Sequence, residues 1–123
     1  MSIESSLYAR LTAHAGVSAL VGTRIYPLLM PQTPVLPAIT YQRISAEHIA
    51  SIGGHSGLEN PRIQIDIWAL SYNTSKALAA QVRAALTESM DGFAALLLTD
   101  LDDYEPETRI YRCSLDFSLW AEE

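Results

Sequence analysis

The chain has a single cysteine, Cys113, among its 123 residues. One thiol cannot form an intramolecular disulfide, and its place on the apolar side of a predicted strand favours a buried, unreactive thiol over a catalytic one. Basic residues are scarce as well, since 8 Lys and Arg stand against 14 Asp and Glu and give a formal net charge of −6. An acidic protein repels phosphate groups, so a surface built to grip nucleic acid or an anionic membrane is not expected.

Long apolar runs are also missing. No stretch approaches the ~20 residues that a membrane span needs, and no basic start followed by an apolar run indicates a signal peptide. We therefore expect a protein that has no membrane partner and is made and kept in the cytoplasm. Hydrophobic residues make up 49% of the chain and charged residues 18%, which is typical of a globular protein. Its length fits one domain over residues 1–123.

Metal-binding patterns are not found. A metal site needs three or four converging ligands, and His14, His48 and His55 lack the spacing that assembles them. The acidic run over residues 100–107 lacks the alternating spacing of a calcium loop. We interpret this run as a charged strand edge that resists aggregation. No metal ligand is predicted.

Catalytic patterns are not found either. Gly53, Gly54 and Gly57 do not form a phosphate loop, because no strand-to-helix junction or adjacent lysine follows them. No serine lies in a Gly-x-Ser-x-Gly turn, and no nucleophile or base accompanies the carboxylates. We therefore predict no catalytic residue, no cofactor and no enzyme activity.

Helical periodicity appears in three places. Apolar residues recur at helical spacing from Ile3 to Ala15 and predict a first helix, capped by Ser2 and stopped at Gly16. Residues 17–21 predict a short second helical turn that ends at a glycine. The clearest amphipathic pattern predicts a third helix between Ser71 and Gly92, with a buried stripe of Leu78, Val82 and Leu86.

Alternating side chains predict four strands, because neighbouring residues of a strand point to opposite faces. The strands are expected at residues 38–46, 62–70, 94–104 and 110–120. The apolar side of the second strand consists of Ile63, Ile65 and Ile67, and that of the last strand consists of Tyr111, Cys113, Leu115, Phe117 and Leu119.

Two connecting segments have unusual compositions. Residues 27–37 contain four prolines, so they predict an extended connection without helix, and the apolar residues in it are expected to need burial. Residues 46–60 carry three glycines among polar residues and predict a long, mobile hairpin loop.

The order of the elements is α-β-β-α-β-β. It predicts an α+β fold with a single, mostly antiparallel four-stranded sheet and helices packed on one face. The connection through residues 71–93 is long enough for a right-handed crossover, which leaves room for one parallel pair of strands there.

Two features suggest where a partner binds. The hairpin loop is too long to bury its own apolar residues, and two tryptophans fall on the otherwise polar side of their strands. The tryptophans have two interpretations that stay open: cover by the chain's own proline segment or terminus, or a subunit or partner contact. The candidate interface residues are Ile49, Ile52, Gly53, Gly54, Leu58, Trp68 and Trp120.

A family resemblance adds to this interpretation. Four pieces follow one another in characteristic order: VGTRIYPLLMPQ, LPAITYQRIS, GLENPRIQIDIWALSYNTSKALAAQVRAAL and YEPETRIYRCSLDFSLW. Together they resemble the tail completion, or tail terminator, family of long-tailed phages over residues 7–120. Similar proteins occur in prophages and in gene transfer agents. The resemblance implies a small α+β structural protein and brings no catalytic residues.

The resemblance also implies a place and partners. Members of this family form a hexameric ring on the head-proximal end of the tail tube, where they stop tube growth and face the head–tail connector. The implied partners are other copies in a homo-hexamer, the tail tube protein and the connector protein. DNA would pass through the ring without specific binding. The protein would assemble in the host cytoplasm and lie at the neck of the virion or phage-like particle.

Two other functions stay open at this point. The first is a different head–tail connector or minor tail component of similar fold. The second is a cytoplasmic binding or regulatory protein, or a toxin-system protein, that uses the loop at residues 46–60 as its binding site.

Overall fold

The computed structural model describes residues 3–51, 54–87 and 93–122, with the backbone alone at residues 46–51, 54–59, 121 and 122. Three helices and five strands lie within these residues. In chain order they are α1 (Ile3–Ala13), α2 (Ala15–Val21), β1 (Ile25–Pro27), β2 (Ala38–Ser51), β3 (Gly54–Ala69), α3 (Tyr72–Thr87), β4 (Ala94–Glu105) and β5 (Ile110–Glu122).

The strands form one five-stranded sheet in the order β1-β2-β3-β5-β4. The α+β class and the mostly antiparallel sheet are confirmed, but the count of four strands is wrong. The additional strand, β1, pairs in parallel with β2, with Ile25 opposite Ile39 and Tyr26 opposite Thr40. Three residues are too few for an alternation pattern, so only their pairing with β2 makes them a strand.

The connection through residues 71–93 does not join a parallel pair of neighbouring strands, although its length allowed one. β3 and β4 run in the same direction, because each pairs antiparallel with β5. However, β5 lies between them, so the connection through α3 does not join neighbouring strands. The parallel pair of the described sheet is β1 with β2.

The proposed hairpin loop is much shorter than predicted. β2 continues to Ser51 and β3 begins at Gly54, and the two strands stay paired through Glu47 with Asn60 and Ile49 with Leu58. The interpretation of residues 46–60 as a loop is therefore wrong, and its mobility stays a prediction. Glycines and polar residues lower strand propensity, but an antiparallel ladder with an established register satisfies further backbone groups with little regard to side chain.

The helix boundaries differ from the predictions at one junction. α1 ends at Ala13, and His14 takes an extended conformation with φ −78° and ψ 118° before α2 begins. Gly16 therefore lies inside α2 and does not stop α1. A Cβ atom at Gly16 would overlap the side chain of Gln81 on α3. A larger residue would have to displace the Gln81 amide, which is 3.2 Å from His14 Nε2, and a sequence pattern does not reveal this contact.

The start of α3 is confirmed by its cap. The Thr74 backbone N–H donates a 3.1 Å hydrogen bond to Ser71 Oγ, which satisfies one of the free donors of the first turn. The predicted cap Ser2 and stop Gly92 lie outside the described residues. At the other end of α3, the Arg10 guanidinium donates to the carbonyl oxygens of Leu86 at 3.1 Å and Phe93 at 2.8 Å.

The core lies between the three helices and one face of the sheet. Ile63, Ile65 and Ile67 are fully buried, as alternation predicted. The helices contribute Leu7, Leu11, Val17, Val21, Leu78, Val82 and Leu86, and β5 contributes Cys113, Leu115, Phe117 and Leu119. Each of the larger apolar side chains stabilises the fold by roughly 1.5–3 kcal/mol through burial.

The buried thiol predicts a pH-dependent loss of stability. Burial raises the pKa of Cys113 to about 11 from an ordinary 9.0. Because the folded-state pKa lies above the unfolded one, the protonated thiol stabilises the fold below pH 9, and this contribution is lost as the pH rises towards 11. We expect the urea midpoint to fall over this range by more in the native chain than in a Cys113→Ala variant.

The Cys113→Ala variant also controls for other groups that titrate at high pH. Burial is the main cause that raises the pKa of Tyr41, and that residue titrates in both proteins. Equal falls of the two urea midpoints would therefore contradict a contribution from Cys113.

Candidate partner-binding surface

The helices all pack into one core, so no described helix covers the second face of the sheet, which we call the open face. Register places Thr40, Asp66, Ser114 and Leu101 in one row across this face. Such a face must satisfy its polar groups by itself or with a partner. Residues of this face whose polar groups are satisfied within the chain are structural, and exposed residues without such contacts are candidate partner contacts.

Most polar groups at the centre of the open face are satisfied within the chain, but Asp116 Oδ1 is buried without a hydrogen-bond partner among the described residues. Asp66 is only 9% exposed. Its carboxylate accepts hydrogen bonds from Ser114 Oγ at 2.5 Å and Gln64 Nε2 at 3.0 Å. Beside it, Arg62 forms an ion pair with Asp116. These contacts rigidify the face and satisfy most of its central polar groups.

Trp68 belongs to this satisfied network. Its indole N–H donates a 2.9 Å hydrogen bond to Thr40 Oγ1. The Arg112 guanidinium lies 5.5 Å from the centre of the ring and also donates to Asp103 Oδ2 at 2.9 Å. The half-buried indole therefore has partners within its own chain.

Trp120 has a different environment. It is 45% exposed and lies opposite Ala94 on β4. Around it, β4 exposes further apolar side chains, because Leu98 is the extra residue of a register shift between Leu97 and Thr99. We call the resulting group the β4 patch; it consists of Leu96 (59% exposed), Leu98 (43%), Leu101 (64%) and Trp120.

The hairpin arm and Trp120 lie at the same end of the sheet. β5 pairs with β3 as far as Leu58 opposite Glu122, so beyond this point only β2 and β3 continue. We call the part of β2 and β3 from the pair of Ile49 with Leu58 to Ser51 and Gly54 the hairpin arm, and beyond that pair it is two-stranded. Trp120 is two residues from the last pair, whereas Trp68 is ten residues along β3 from Leu58, roughly 33 Å at the usual rise.

The structure therefore divides the predicted site residues into two groups. Ile49, Gly54 and Leu58 belong to the paired strands of the hairpin arm, near Trp120. Ile52 and Gly53 lie outside the described residues. Trp68 is at the other end of the sheet and does not join them.

The proline-rich connection forms a second apolar surface, which we call the proline-segment patch. Its leucines were expected to need burial, yet Leu28 is 66% exposed, Leu29 80% and Val35 63%. That expectation is wrong for these three residues. None of the three belongs to the core of the described residues, and the connection that carries them follows the edge strand β1.

Leu28 is also held in an unusual backbone conformation. Its φ is 65°, which L-residues other than glycine rarely adopt. The Leu28 N–H donates to Tyr41 O at 2.9 Å and the Leu29 N–H donates to Pro27 O at 2.7 Å, which closes a tight turn around it. A strained position of this kind costs on the order of 1–3 kcal/mol. Sequence reasoning missed it, since leucine is not a turn residue.

The acidic run lies on the edge strand β4, where a charged edge was expected. The Lys76 ammonium donates to Asp102 Oδ1 at 3.0 Å, and this hydrogen bond is the main cause that lowers the Asp102 pKa. Tyr72 O–H donates to the other carboxylate oxygen at 3.1 Å. Charges along an exposed edge discourage unwanted strand pairing.

The described residues offer little for catalysis or ligand binding. A cleft that contains Lys76, Asp100 and Cys113 has a volume of about 180 Å³, below the ~300–1,000 Å³ of small-molecule sites. The raised pKa of the Cys113 thiol, caused first by burial, makes it a poor nucleophile. Across residues 3–51, 54–87 and 93–122, no three His, Cys, Asp or Glu side chains gather as metal ligands.

Of the helices that the structure describes, none combines the length and the apolar character needed to cross a bilayer.

Comparisons with known proteins identify the family of the chain and a solved structure with a similar fold. The family model described as "Tail completion protein gp17" matches residues 5–122. A chain of a solved structure described as "Virion of native gene transfer agent (GTA) particle" has a TM-score of 0.82 and 21% sequence identity, over 99% of this chain and 96% of that one. None of the curated proteins compared with the chain matches it. The chain belongs to the tail completion protein gp17 family, and is thus a structural protein of a phage-type virion and not an enzyme.

Proposed function

We propose that the chain forms a ring, of six copies, on the head-proximal end of the tail tube, where it stops tube elongation and joins the tail to the head connector. The observation that carries the proposal is the placement of the hairpin arm and Trp120 at one end of the sheet. Trp120 is 45% exposed and so offers contact surface that the single chain does not cover. Family membership supports a place in the tail.

The hairpin arm is suited to contact a partner. Two strands without a third are marginally stable in water, so the arm gains by resting on a surface outside its own sheet. We propose that the residues around its tip, Ile49, Ile52, Gly53, Gly54 and Leu58, contact the tail tube or a neighbouring copy. Repetition of the same contact around a ring adds avidity.

The two tryptophans fit different roles. Trp120 is exposed near the base of the arm, which suits a subunit or tube contact where tryptophan is enriched. Trp68 donates its N–H to Thr40 and lies beneath Arg112, which suits cover by its own chain. We therefore place Trp120 in the proposed interface.

Charge fits a ring through which DNA passes without specific binding. The net charge of −6 disfavours phosphate contacts. On the open face, Arg62 pairs with Asp116 and Arg112 with Asp103, so these two cations are already neutralised. Neither offers an uncompensated charge to a phosphate.

The second candidate function is a different head–tail connector or minor tail component. It shares the fold and the tail, and differs in the copy number and position in the particle. The family assignment to tail proteins leaves the cytoplasmic regulator without support.

Deletion of the gene tests the capping role. We expect filled heads together with unattached tails of abnormal length, because nothing would cap the growing tube. Electron microscopy of lysates measures both, and antibody labelling locates the protein in native particles. Tails of normal length joined to heads in the deletion, or a label at the tail tip, would contradict the proposal.

Charged substitutions test the hairpin arm. A chain with Ile49→Asp and Ile52→Asp should keep its melting temperature nearly unchanged and lose head–tail joining. The matched control carries Ile49→Val and Ile52→Val, which keep the apolar character and should still join. A large fall of the melting temperature in the Asp variant would show that these residues pack on their own chain.

The tryptophans supply a second matched pair. Trp120→Ser should lower the free energy of unfolding by roughly 1–2 kcal/mol, because about half of the indole is buried, and should impair joining. Trp68→Phe removes the hydrogen bond to Thr40 and should cost about 1 kcal/mol while joining persists. Urea unfolding and a joining assay measure the two effects, and the reverse pattern would exchange the roles of the two residues.

A further inference from the structure

The proline-segment patch exposes apolar side chains on a connection with a fixed backbone conformation. Leu28, Leu29 and Val35 are exposed on a connection with prolines at both ends, and the two hydrogen bonds around Leu28 fix its strained turn. A leucine at φ 65° is unfavourable in the free chain, where glycine would relieve the strain. Its side chain contributes nothing to its own core, so its benefit lies in a contact outside the chain.

The chemistry of the patch narrows the occupant. The connection over residues 27–37 carries no charged side chain, so it has no ion pair to offer a partner. It suits an apolar surface. A surface of this kind lies on the chain itself, in the β4 patch of Leu96, Leu98, Leu101 and Trp120.

The two patches lie at opposite edges of one sheet. The proline-segment patch adjoins β1, and the β4 patch adjoins β4, which are the first and last strands in the sheet order. Because three strands lie between them, the two patches of one chain cannot touch each other. The two patches also consist of different residues, so they are unlike surfaces. Contact between unlike surfaces of two copies is head-to-tail, and repeated head-to-tail contact forms a ring when the rotation between copies closes.

We infer that the proline-segment patch binds the β4 patch of a neighbouring copy. This inference rests on the ring proposed above and names the two surfaces that meet around it. Prolines keep the connection rigid before contact, which reduces the entropy lost on binding. Three side chains cover much less than the ~800 Å² per partner of a standard interface, so we expect the contact to hold in the closed ring and to be weak in a free pair.

Site-directed cross-linking in assembled particles tests the inference. In a Cys113→Ala background, Leu29→Cys and Leu98→Cys are introduced singly or together, and a short bis-maleimide is added to purified particles. The chain with both cysteines should give a ladder of cross-linked oligomers. A mixture of the two single variants should give dimers only, and either single variant alone should stay monomeric. The control pair of Leu70→Cys with Leu98→Cys uses another exposed leucine, which follows β3 and is not a member of either patch.

Each other outcome overturns the inference in a distinguishable way. Dimers from Leu29→Cys alone would show that like patches meet, and a cross-link to the tail tube protein would show a different occupant. Cross-linking no stronger than in the control pair, with a ring visible at the neck by electron microscopy, would refute the named surfaces and leave the proposed function intact. Absence of a ring from the neck would refute both.

A compensating charge pair gives a second measurement that does not depend on cross-linker geometry. Leu29→Lys and Leu98→Glu should each lower the yield of joined particles at least tenfold, and the double variant should recover most of the loss. Equal melting temperatures of the purified variants would exclude misfolding. Additive losses in the double variant would contradict direct contact between the two positions.

Discussion

The packing of three helices on one face of the sheet is the constraint on which the rest of the structure depends. The buried rows of β3 and β5, with Ile65 and Leu115 at their centre, leave no apolar stripe for a second layer. The open face must therefore be stable in water by itself. It achieves this through polar side chains that bond to one another across strands, with Asp66 as the central acceptor.

This division explains where contact surface remains. A satisfied polar network attracts no partner strongly, because binding would only exchange hydrogen bonds. Apolar side chains are left at the margins: Trp120 with the leucines of β4, and Leu28 with its neighbours beside β1. The ring that we propose, with like copies on both sides and a tube along its axis, needs surface at the edges and ends of each copy. The fold leaves surface in these places.

Sequence reasoning succeeded where a local pattern repeats. Alternation identified the buried faces of β3 and β5, and helical periodicity identified α3 with its Ser71 cap. It failed at β1, which is too short to show a period, and at residues 46–60, whose glycines suggested a loop although the ladder continues through them. The candidate interface residues stay a prediction, and the structure places Trp120 and the hairpin at one end of the sheet and Trp68 at the other.

The sequence by itself determined the fold class, the buried rows, the scarcity of catalytic patterns and the family, because each depends on residue types at short or fixed spacing. Only the tertiary structure decided that Trp68 is satisfied by Thr40 while Trp120 is exposed, and that Leu28 and Leu29 stay uncovered. The physical reason is that exposure depends on which distant elements pack against a residue. In a strand or connection, the same apolar side chain is core or contact according to whether another part of the chain reaches it.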